Sequence, residues 1–347
     1  MASTRSLSHP VPDYRLLRGF RASIIIPPRF LGDSSEASHL PTLTRGLRVD
    51  ASCELVKRVL PATVNLHVQV APHHPSRLAL GDERMGSGCL IDPRGYILTV
   101  NYVVLGARSI RVTLPDGRTF RGSVAAQDFD TGLAVVKING SKLRAIPVGS
   151  SQHLILGQPV FILASTSENE RRVAGGHVTY LGDFDAYWEY MLDRCIKTTA
   201  FNPGFGGGPL LDMRGQLVGV VSLNLSEIAR FSLAIPAEMF QRHRDELLQH
   251  GRVVSRGCRA WVGFFPNPTE EGVVVSGLVP EGPAASSGMK EGDIILAVDF
   301  QSVVTRQDLY CALWRKRAGE RVAFTVRRGS DKEVVEVASG DRAEFYK

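Results

Sequence analysis

The residues with the most specific spacing form a glycine-rich stretch, Phe201–Leu211, which reads FNPGFGGGPLL. A glycine-rich loop can bind phosphate through its backbone N–H groups, but that chemistry requires a following Lys-Ser/Thr pair and a helix. Neither follows here, because Pro209 leads into Leu210–Leu211, a turn and a further apolar run, Leu217–Leu223. The stretch is therefore predicted to connect two β-strands, and phosphate binding is not expected.

Runs of alternating apolar residues predict a chain built mainly of β-strands. Six short runs lie between residues 63 and 138, beginning with Thr63–Val70, and six more lie between residues 159 and 235. The second group includes His177–Leu181 and Cys195–Ala200. Short strands at this density, separated by turns, are typical of closed barrels or sandwiches. A helix is predicted over Ala237–His250, with Gly251 as its C-terminal cap.

The order of these motifs resembles that of trypsin-like serine proteases of the HtrA/Deg family, in which the glycine-rich stretch reads N-P-G-N-S-G-G-P-L-L. The resemblance includes Leu55–Leu66 and Gly86–Asp92 and covers roughly residues 50–345. It implies a mainly β fold, a trypsin-like double β-barrel followed by a small α/β PDZ domain. The implied divisions are an N-terminal extension with little regular structure (1–48), the double barrel (49–236), a helix and linker (237–257) and the PDZ domain (258–347).

The resemblance also places the three catalytic positions of the family, and none of them holds a catalytic side chain. Tyr102 stands at the histidine position, after the run Thr99–Asn101. Gly132 stands at the aspartate position and Gly206 at the serine position. Such sites need a serine nucleophile, a histidine base and an orienting carboxylate acting together. A phenol of ordinary pKa is a poor base at neutral pH, and glycine supplies no functional group. We therefore do not expect enzyme activity.

No displaced base or nucleophile is indicated nearby. Asp128 and Asp130 precede the aspartate position, but a carboxylate without its partners is not a catalyst. His73 and His74 lie in a proline-bounded loop, and His177 begins a predicted strand. A base must lie within hydrogen-bond reach of a nucleophile, so these histidines are interpreted as surface or strand residues.

Backbone groups of the glycine-rich stretch could still bind an oxygen atom. The resemblance assigns the N–H groups of Gly204 and Gly206 to the oxyanion hole of the family. Consecutive glycines at 206–208 permit such a nest of donors. Two interpretations stay open at this point: a groove that binds a peptide carbonyl or carboxylate without cutting, and a loop that only packs between two strands.

The C-terminal unit resembles an HtrA-type PDZ domain in the strings Gly282–Ala285 and Gly292–Ile295. PDZ domains bind a peptide C-terminus by strand addition, with loop N–H groups on the carboxylate. The resemblance implies peptide-binding residues in that loop, in the pairing strand that begins at Phe265 and on the helix from about Arg306: Trp261, Val262, Gly263, Phe264, Phe265, Leu309 and Leu313. A glycine at 263 is expected because the backbone must approach another group closely there. The alternative is that the apolar members are core residues.

Composition argues against several other classes of function. The 347 residues include 41 Lys and Arg against 35 Asp and Glu, and seven of the arginines lie before residue 49. No basic stripe interleaved with aromatic residues marks a nucleic-acid surface, so nucleic acid is not an expected partner. The five cysteines have no zinc spacing, and neither a metal nor a cofactor is expected. No apolar run approaches membrane-spanning length.

Residues 1–48 leave the compartment and the assembly open. No secretory signal peptide is evident, and a cytoplasmic location is favoured, although an Arg- and Ser-bearing start with one acid in the first thirty residues loosely fits an organellar transit peptide. The resemblance implies a homo-oligomer, a trimer held by N-terminal aromatic contacts. Tyr14, Phe20 and Phe30 are the candidates for those contacts.

Three functions follow, in order of preference. The first is a proteolytically inactive HtrA-like regulatory or scaffold protein, whose PDZ domain binds polypeptide C-termini or unfolded segments. The second is an active HtrA-type serine endopeptidase of protein quality control. The third is a structural subunit of a mixed oligomer with an active paralogue.

Overall fold

The first of two closed barrels holds the histidine-position and aspartate-position residues. The computed structural model describes residues 46–225 and 230–347. Within it, the first barrel contains β1 (Thr63–Val70), β2 (Glu83–Asp92), β3 (Tyr96–Val100), β4 (Ala107–Thr113), β5 (Thr119–Asp128) and β6 (Leu133–Ile138). The strands close in the order β1–β2–β3–β6–β5–β4. Val64, Leu66 and Val68 of β1 are fully buried, as the alternating pattern predicts.

The second barrel holds the glycine-rich stretch. Its strands are β7 (Pro159–Ser165), β8 (Arg171–Ala186), β9 (Tyr190–Thr198), β10 (Pro209–Asp212), β11 (Leu217–Leu225) and β12 (Phe231–Pro236). They close in the order β10–β11–β12–β9–β8–β7. The β8–β9 hairpin is much longer than the predicted strands His177–Leu181 and Cys195–Ala200. Its outer part extends beyond the barrel towards the C-terminal unit.

Short helices connect and flank the barrels: α1 (Gly46–Val59), a 3₁₀ turn (Leu60–Ala62), α2 (Arg77–Leu80), α3 (Asn101–Val104), α4 (Ala237–Arg242) and α5 (Arg244–His250). The single helix predicted over Ala237–His250 is interrupted at His243, whose N–H donates three residues back to the carbonyl oxygen of Phe240. Gly251 has φ +73° and its N–H donates to the carbonyl oxygen of Leu247 at 3.0 Å, so the predicted cap is present.

The C-terminal unit is an open sheet flanked by three helices. It contains β13 (Phe264–Thr269), β14 (Gly272–Leu278), α6 (Pro283–Ser286), β15 (Ile294–Val298), β16 (Gln301–Ser302), α7 (Arg306–Leu313), β17 (Arg321–Arg328), β18 (Asp331–Ala338) and α8 (Arg342–Phe345). The order β13–β14–β15–β17–β18 leaves β13 at one edge. A mainly β double barrel followed by a small α/β domain is the predicted architecture, and it is confirmed.

Two expectations concern the N-terminal part of the chain and membrane insertion. Tyr14, Phe20 and Phe30 lie outside the described residues, so trimer formation through them stays a prediction. None of the helices within residues 46–225 and 230–347 is long and apolar enough to cross a membrane.

A buried polar network joins the two barrels. Asn65 Nδ2 donates to Ser165 Oγ at 3.1 Å, and Ser165 Oγ donates to the carbonyl oxygen of Gly86 at 3.1 Å. The Ser165 N–H donates to Ser87 Oγ at 2.9 Å, and Ser87 Oγ donates to the carbonyl oxygen of Phe205 at 2.8 Å. Because these side chains are removed from water, each bond satisfies a group that would be costly to leave unpaired. The network fixes the glycine-rich stretch against both barrels.

We predict that Ser165→Ala lowers the free energy of unfolding by about 1–3 kcal/mol, because it leaves buried groups of Asn65 and Gly86 without their partner. Urea unfolding followed by tryptophan fluorescence measures the change. Ser109→Ala, on the exposed side of β4, is the control and should change the free energy by less than about 0.5 kcal/mol. Equal effects of the two substitutions would show that the network contributes nothing specific.

Candidate functional site

The turn from β3 into α3 places Tyr102 at the boundary between the barrels. The N–H of Asn101 donates to the carbonyl oxygen of Gly132 at 2.7 Å, which fixes the start of the turn. The buried Arg84 donates from Nη1 to the carbonyl oxygens of Tyr102 and Leu105, at 2.8 and 2.9 Å. These bonds satisfy carbonyl groups at the end of a very short helix, and they hold Tyr102 in one orientation.

The side chain of Tyr102 reaches into the second barrel. Its hydroxyl donates to the carbonyl oxygen of Ser222, in β11, at 2.8 Å. Burial raises the pKa of this phenol above its ordinary value of 10.0. The hydroxyl therefore stays protonated at neutral pH, where it is a hydrogen-bond donor and cannot act as a general base.

The Tyr102 hydroxyl occupies the space that a side chain at position 206 would need. A Cβ atom placed on Gly206 would lie 2.0 Å from Oη of Tyr102 and 3.2 Å from the carbonyl oxygen of Ser222. The first distance is far inside van der Waals contact. The tyrosine at 102 and a serine at 206 therefore exclude each other in this arrangement, and glycine is the residue that fits.

The other glycines of the stretch allow close packing between the barrels. A Cβ atom on Gly204 would lie 2.3 Å from the carbonyl oxygen of Ser165, and one on Gly208 would lie 2.3 Å from that of Leu163. Gly207 has φ +92°, a backbone conformation that favours glycine. The packing interpretation therefore accounts for these three glycines without a ligand.

Two N–H groups of the stretch nevertheless remain available. The Phe205 N–H donates to the carbonyl oxygen of Ser165 at 2.9 Å, which orients the peptide between the two proposed oxyanion-hole residues. Within the described part of the chain, the N–H groups of Gly204 and Gly206 have no hydrogen-bond acceptor. Their use as an oxyanion-like site stays a prediction.

Gly132 is held in a conformation that disfavours any other residue. It has φ +75°, and a Cβ atom placed there would lie 3.2 Å from Cε2 and Oη of Tyr190. The Tyr190 hydroxyl donates to the carbonyl oxygen of Thr131 at 2.7 Å, so the ring is fixed over Gly132. An aspartate at this position would be strained and would press on a buried ring.

Ser87 and Thr99, whose hydroxyl groups lie near the glycine-rich stretch, are engaged in structural bonds. Ser87 Oγ donates to the carbonyl oxygen of Phe205, and Thr99 Oγ1 donates to that of Ser87, both at 2.8 Å. Among residues 46–225 and 230–347, no histidine or carboxylate is hydrogen-bonded to these hydroxyls or to that of Ser165. None of them is paired with a base, as an activated nucleophile must be.

Asp128, Asp130 and His74 have partners outside the glycine-rich stretch, whereas His73 and His177 are exposed. Asp128 and Asp130 form ion pairs with Arg256 of the linker, at 2.6 and 2.7 Å. His74 is neither a surface nor a strand residue, which corrects its interpretation: it is buried, and its Nδ1 lies 2.7 Å from Ser76 Oγ. Within the described ranges, no group of three or more His, Cys, Asp or Glu side chains could hold a metal ion.

A carboxylate from the second barrel lies in the predicted carboxylate-binding loop. The N–H groups of Gly263 and Phe264 donate to Oε1 of Glu189, at 2.6 and 3.1 Å, and that of Val262 donates to Oε2 at 3.2 Å. Glu189 lies at the tip of the β8–β9 hairpin and is only 4% exposed. The loop therefore holds a carboxylate through three successive N–H groups, and that carboxylate belongs to the chain itself.

Most of the loop side chains predicted to bind peptide are core residues. The side chains of Val262 and Phe264 are buried in the core of the C-terminal unit, and only their N–H groups face the carboxylate. Trp261 is also buried: its ring packs on Phe345, with centroids 4.6 Å apart, and its N–H donates to the carbonyl oxygen of Gly340. The apolar side chains thus fill the core, as in the alternative given from the sequence, while the backbone carries the polar contact, and peptide binding by the loop stays a prediction.

Two features of the structure require a glycine at position 263. Its φ is +77°, and a Cβ atom placed there would lie 3.0 Å from Cζ2 of Trp261 and 3.3 Å from Cβ of Val279. Positive φ turns successive N–H groups to the same side, which is how a nest of donors forms. The sequence indicated a close approach at this glycine, and the structure adds the backbone conformation.

The predicted peptide groove of the C-terminal unit lies between the strand β13, its strand wall, and the helix α7, its helix wall. The residues of α7 that contact the hairpin were not among the predicted peptide-binding residues. Leu309 and Leu313 of α7 are fully buried in the core, and their assignment to the side-chain pocket stays a prediction. The polar contacts of α7 with the hairpin are made by Tyr310, which donates to the carbonyl oxygen of Ala186, and by Arg306. The PDZ resemblance placed a helix from about Arg306 but could not show what its polar side chains contact.

Phe265 is the predicted peptide-binding residue whose side chain faces the hairpin. Its ring lies 6.0 Å from that of Tyr187, centroid to centroid, in an edge-to-face arrangement. This contact places the hairpin tip beside β13. The hairpin therefore meets both the strand wall and the helix wall of the groove.

The strand wall lacks donors that an added strand would use. The carbonyl oxygen of Phe265 accepts from Ser276 Oγ on β14, whereas that of Pro266 accepts from Arg306 Nη1 and so faces the groove. In an antiparallel strand, the N–H and C=O groups of one residue point to the same side. Proline has no N–H, so position 266 offers no donor, and neither does Pro268 two residues on. The predicted pairing strand is thus short of ladder bonds.

Comparisons with known proteins agree with this architecture. Residues 86–220 match the family described as trypsin-like peptidase domain, and residues 260–338 match the PDZ domain family. The fold is similar to a solved structure of the HtrA-type protease AlgW with a decapeptide, at a TM-score of 0.53 and 27% identity, covering 84% of this chain and 98% of that one. The chain belongs to the HtrA family.

Curated relatives of this HtrA-family protein carry the names of serine endoproteases. One is the probable periplasmic serine endoprotease DegP-like of Halomonas elongata, 32% identical over 78% of this chain and 60% of that protein. Another is Protease Do-like 1, chloroplastic, of Arabidopsis thaliana, 33% identical over 73% of this chain and 62% of that protein. The chain thus spans about three fifths of the length of these relatives.

We predict that Gly206→Ser destabilises this protein by about 1–3 kcal/mol, because the new side chain collides with the Tyr102 hydroxyl. The same substitution in a Tyr102→Phe background should cost markedly less, since Phe lacks the oxygen atom that lies 2.0 Å from the new Cβ. A double-mutant cycle of unfolding free energies should give a coupling of about 0.5–3 kcal/mol. A coupling near zero would mean that Tyr102 and position 206 do not compete for space.

Proposed function

We propose that this HtrA-family protein binds polypeptide chains without cutting them, as a regulatory or scaffold protein whose PDZ domain takes C-terminal peptides. One observation supports the proposal that the protein does not cut the chains it binds. The Tyr102 hydroxyl lies where a side chain at 206 would begin, so a half-buried, protonated phenol fills the space that a serine at 206 would need. Acyl transfer needs a nucleophile and a base in hydrogen-bond contact, and neither is present among the described residues around this loop.

The binding part of the proposal is supported by the C-terminal unit. Its loop at 262–264 presents three N–H groups to a carboxylate, which is the chemistry that recognises a free C-terminus. The barrels remain a packed scaffold, because their cores are continuous and their boundary is closed by the Asn65–Ser87–Ser165 network. Loss of catalysis is thus compatible with a stable double barrel.

A second candidate function, an active serine endopeptidase, is favoured by the names of the relatives. The two candidates differ in one measurable property. We predict that the purified protein is not labelled by a serine-directed fluorophosphonate and does not degrade reduced, unfolded casein. Tyr102→Phe should behave in the same way, since removing the phenol oxygen restores no nucleophile. Reproducible turnover that co-purifies with the full chain and is lost on heat unfolding would overturn the proposal.

We predict that the full chain prefers peptides with a free C-terminal carboxylate over amidated peptides by at least about tenfold, because a charge-assisted bond to the loop is lost on amidation. Fluorescence polarisation with decapeptide pools, each fixed at one apolar last residue, measures the preference. Gly263→Glu should abolish it by displacing the loop and adding a like charge. Gly319→Glu is the matched control, because Gly319 also has positive φ but has open space around its Cβ position. Equal binding of amidated peptides would refute carboxylate recognition.

A further inference from the structure

We propose that Glu189 is the resident ligand of the PDZ carboxylate-binding loop, and that a C-terminal peptide binds there only after the tip of the β8–β9 hairpin has left. The inference rests on the proposed peptide-binding function, because it concerns the regulation of the same loop. It makes peptide binding an exchange of one carboxylate for another.

The contacts of Glu189 reproduce those that a terminal carboxylate would make. Both of its oxygens accept from the loop, and all three N–H groups from Val262 to Phe264 are used. No donor of the nest is left over for a second carboxylate. Two carboxylates at one nest would also repel each other, so occupation by Glu189 and by a peptide terminus are mutually exclusive.

The hairpin tip is held by both walls of the groove. Arg306 Nε donates to Oδ1 of Asp185 at 2.7 Å, and the hydroxyl of Tyr310 accepts from the N–H of Glu189 at 3.0 Å while it donates to the carbonyl oxygen of Ala186. On the opposite wall, the ring of Tyr187 packs against that of Phe265. The tip thus fills the space between β13 and α7 that a bound peptide would take.

The backbone of Glu189 shows that its position is imposed by these contacts. Its φ is +53°, a conformation that non-glycine residues adopt rarely and at a cost. The carbonyl oxygen of Glu189 accepts from Arg342 Nη1 at 3.2 Å, which adds a fixed contact from α8. A strained residue of this kind is retained where surrounding groups determine its geometry, and the surrounding groups here are those of the PDZ loop.

The protonation of Glu189 depends on whether its side chain is docked in the loop or released into water. Burial raises the pKa of its carboxyl to about 7, although Arg342 and the loop N–H groups act to lower it. The other titratable groups that face it are Tyr310 and Tyr346, whose pKa values are raised by burial, so both stay neutral. A released Glu189 in water returns to an ordinary value near 4.3. Between about pH 5 and 7 the docked form keeps a proton that the released form loses, so docking weakens as the pH rises through this range, and above it both forms are carboxylates.

The first experiment measures docking without any peptide. Hydrogen exchange of the full chain, read by mass spectrometry, reports the protection of the amides at 262–264 in the wild type, in Glu189→Asn and in Glu189→Gln. We expect exchange at these amides to be at least tenfold faster in Glu189→Asn, which tolerates positive φ but cannot reach the loop. Glu189→Gln keeps one acceptor and should be intermediate, and far-UV circular dichroism checks that both variants fold. Asp193→Asn, an exposed residue of the same hairpin, is the matched charge control.

The second experiment measures peptide binding in the same four proteins with the free-carboxylate decapeptide pools. We expect pools that bind the wild type to bind Glu189→Asn at least tenfold more tightly, and Asp193→Asn to bind like the wild type. Wild-type binding should be about tenfold tighter at pH 8 than at pH 6, because displacement releases the proton of Glu189. Binding to Glu189→Asn should not change over this range.

The outcomes separate this inference from the proposed function. Unchanged exchange in Glu189→Asn, or equal peptide affinities in the wild type and Glu189→Asn, would overturn the role of Glu189 while leaving peptide binding intact. Faster exchange together with no binding of any pool to any of the four proteins would support Glu189 as the occupant of the loop and would overturn the peptide-binding function.

Discussion

One side-chain oxygen decides what the boundary between the two barrels can contain. The Tyr102 hydroxyl is held by the carbonyl oxygen of Ser222 and fills the position of a Cβ atom on residue 206. The glycine there follows from the tyrosine, and the tyrosine in turn depends on Arg84 and Asn101, which fix α3. The glycine at 206 is therefore part of a packing arrangement with its own supporting contacts, and the barrels stay closed around it.

The β8–β9 hairpin connects this boundary to the C-terminal unit. Two consecutive residues at its tip point to different partners: Glu189 enters the loop at 262–264, and Tyr190 covers Gly132. A change in the position of the tip would move both contacts together, because no flexible residue separates them.

Local patterns in the sequence predicted most of the fold but only part of the candidate site. Alternation such as that of Val64, Leu66 and Val68 gave the strands, since each barrel buries one face of every strand. The outer half of the hairpin was not predicted, although apolar residues alternate there at 184, 186, 188, 190 and 192. That alternation indicates strands, but it does not show that their partner is another domain. Leu309 was assigned to a pocket through the resemblance to PDZ domains, which places the helix without showing what covers each of its residues.

The polar contacts were the least predictable part. Glu189 has an unremarkable setting in the sequence, and its role depends on a turn that brings it next to residues more than seventy positions away. The signal that could have been used is Pro266 and Pro268, because prolines at alternate positions of an edge strand remove its outward donors.

Those two prolines also limit the affinity that a longer peptide could gain from main-chain hydrogen bonds in the groove. An extended chain laid along β13 would find carbonyl oxygens at 266 and 268 but no N–H groups, so residues upstream of its terminus would add few main-chain bonds. Affinity would then depend on the terminal carboxylate and on side chains that meet α7. The same missing donors close this edge to pairing with a strand of another molecule, which is how exposed sheet edges begin to aggregate.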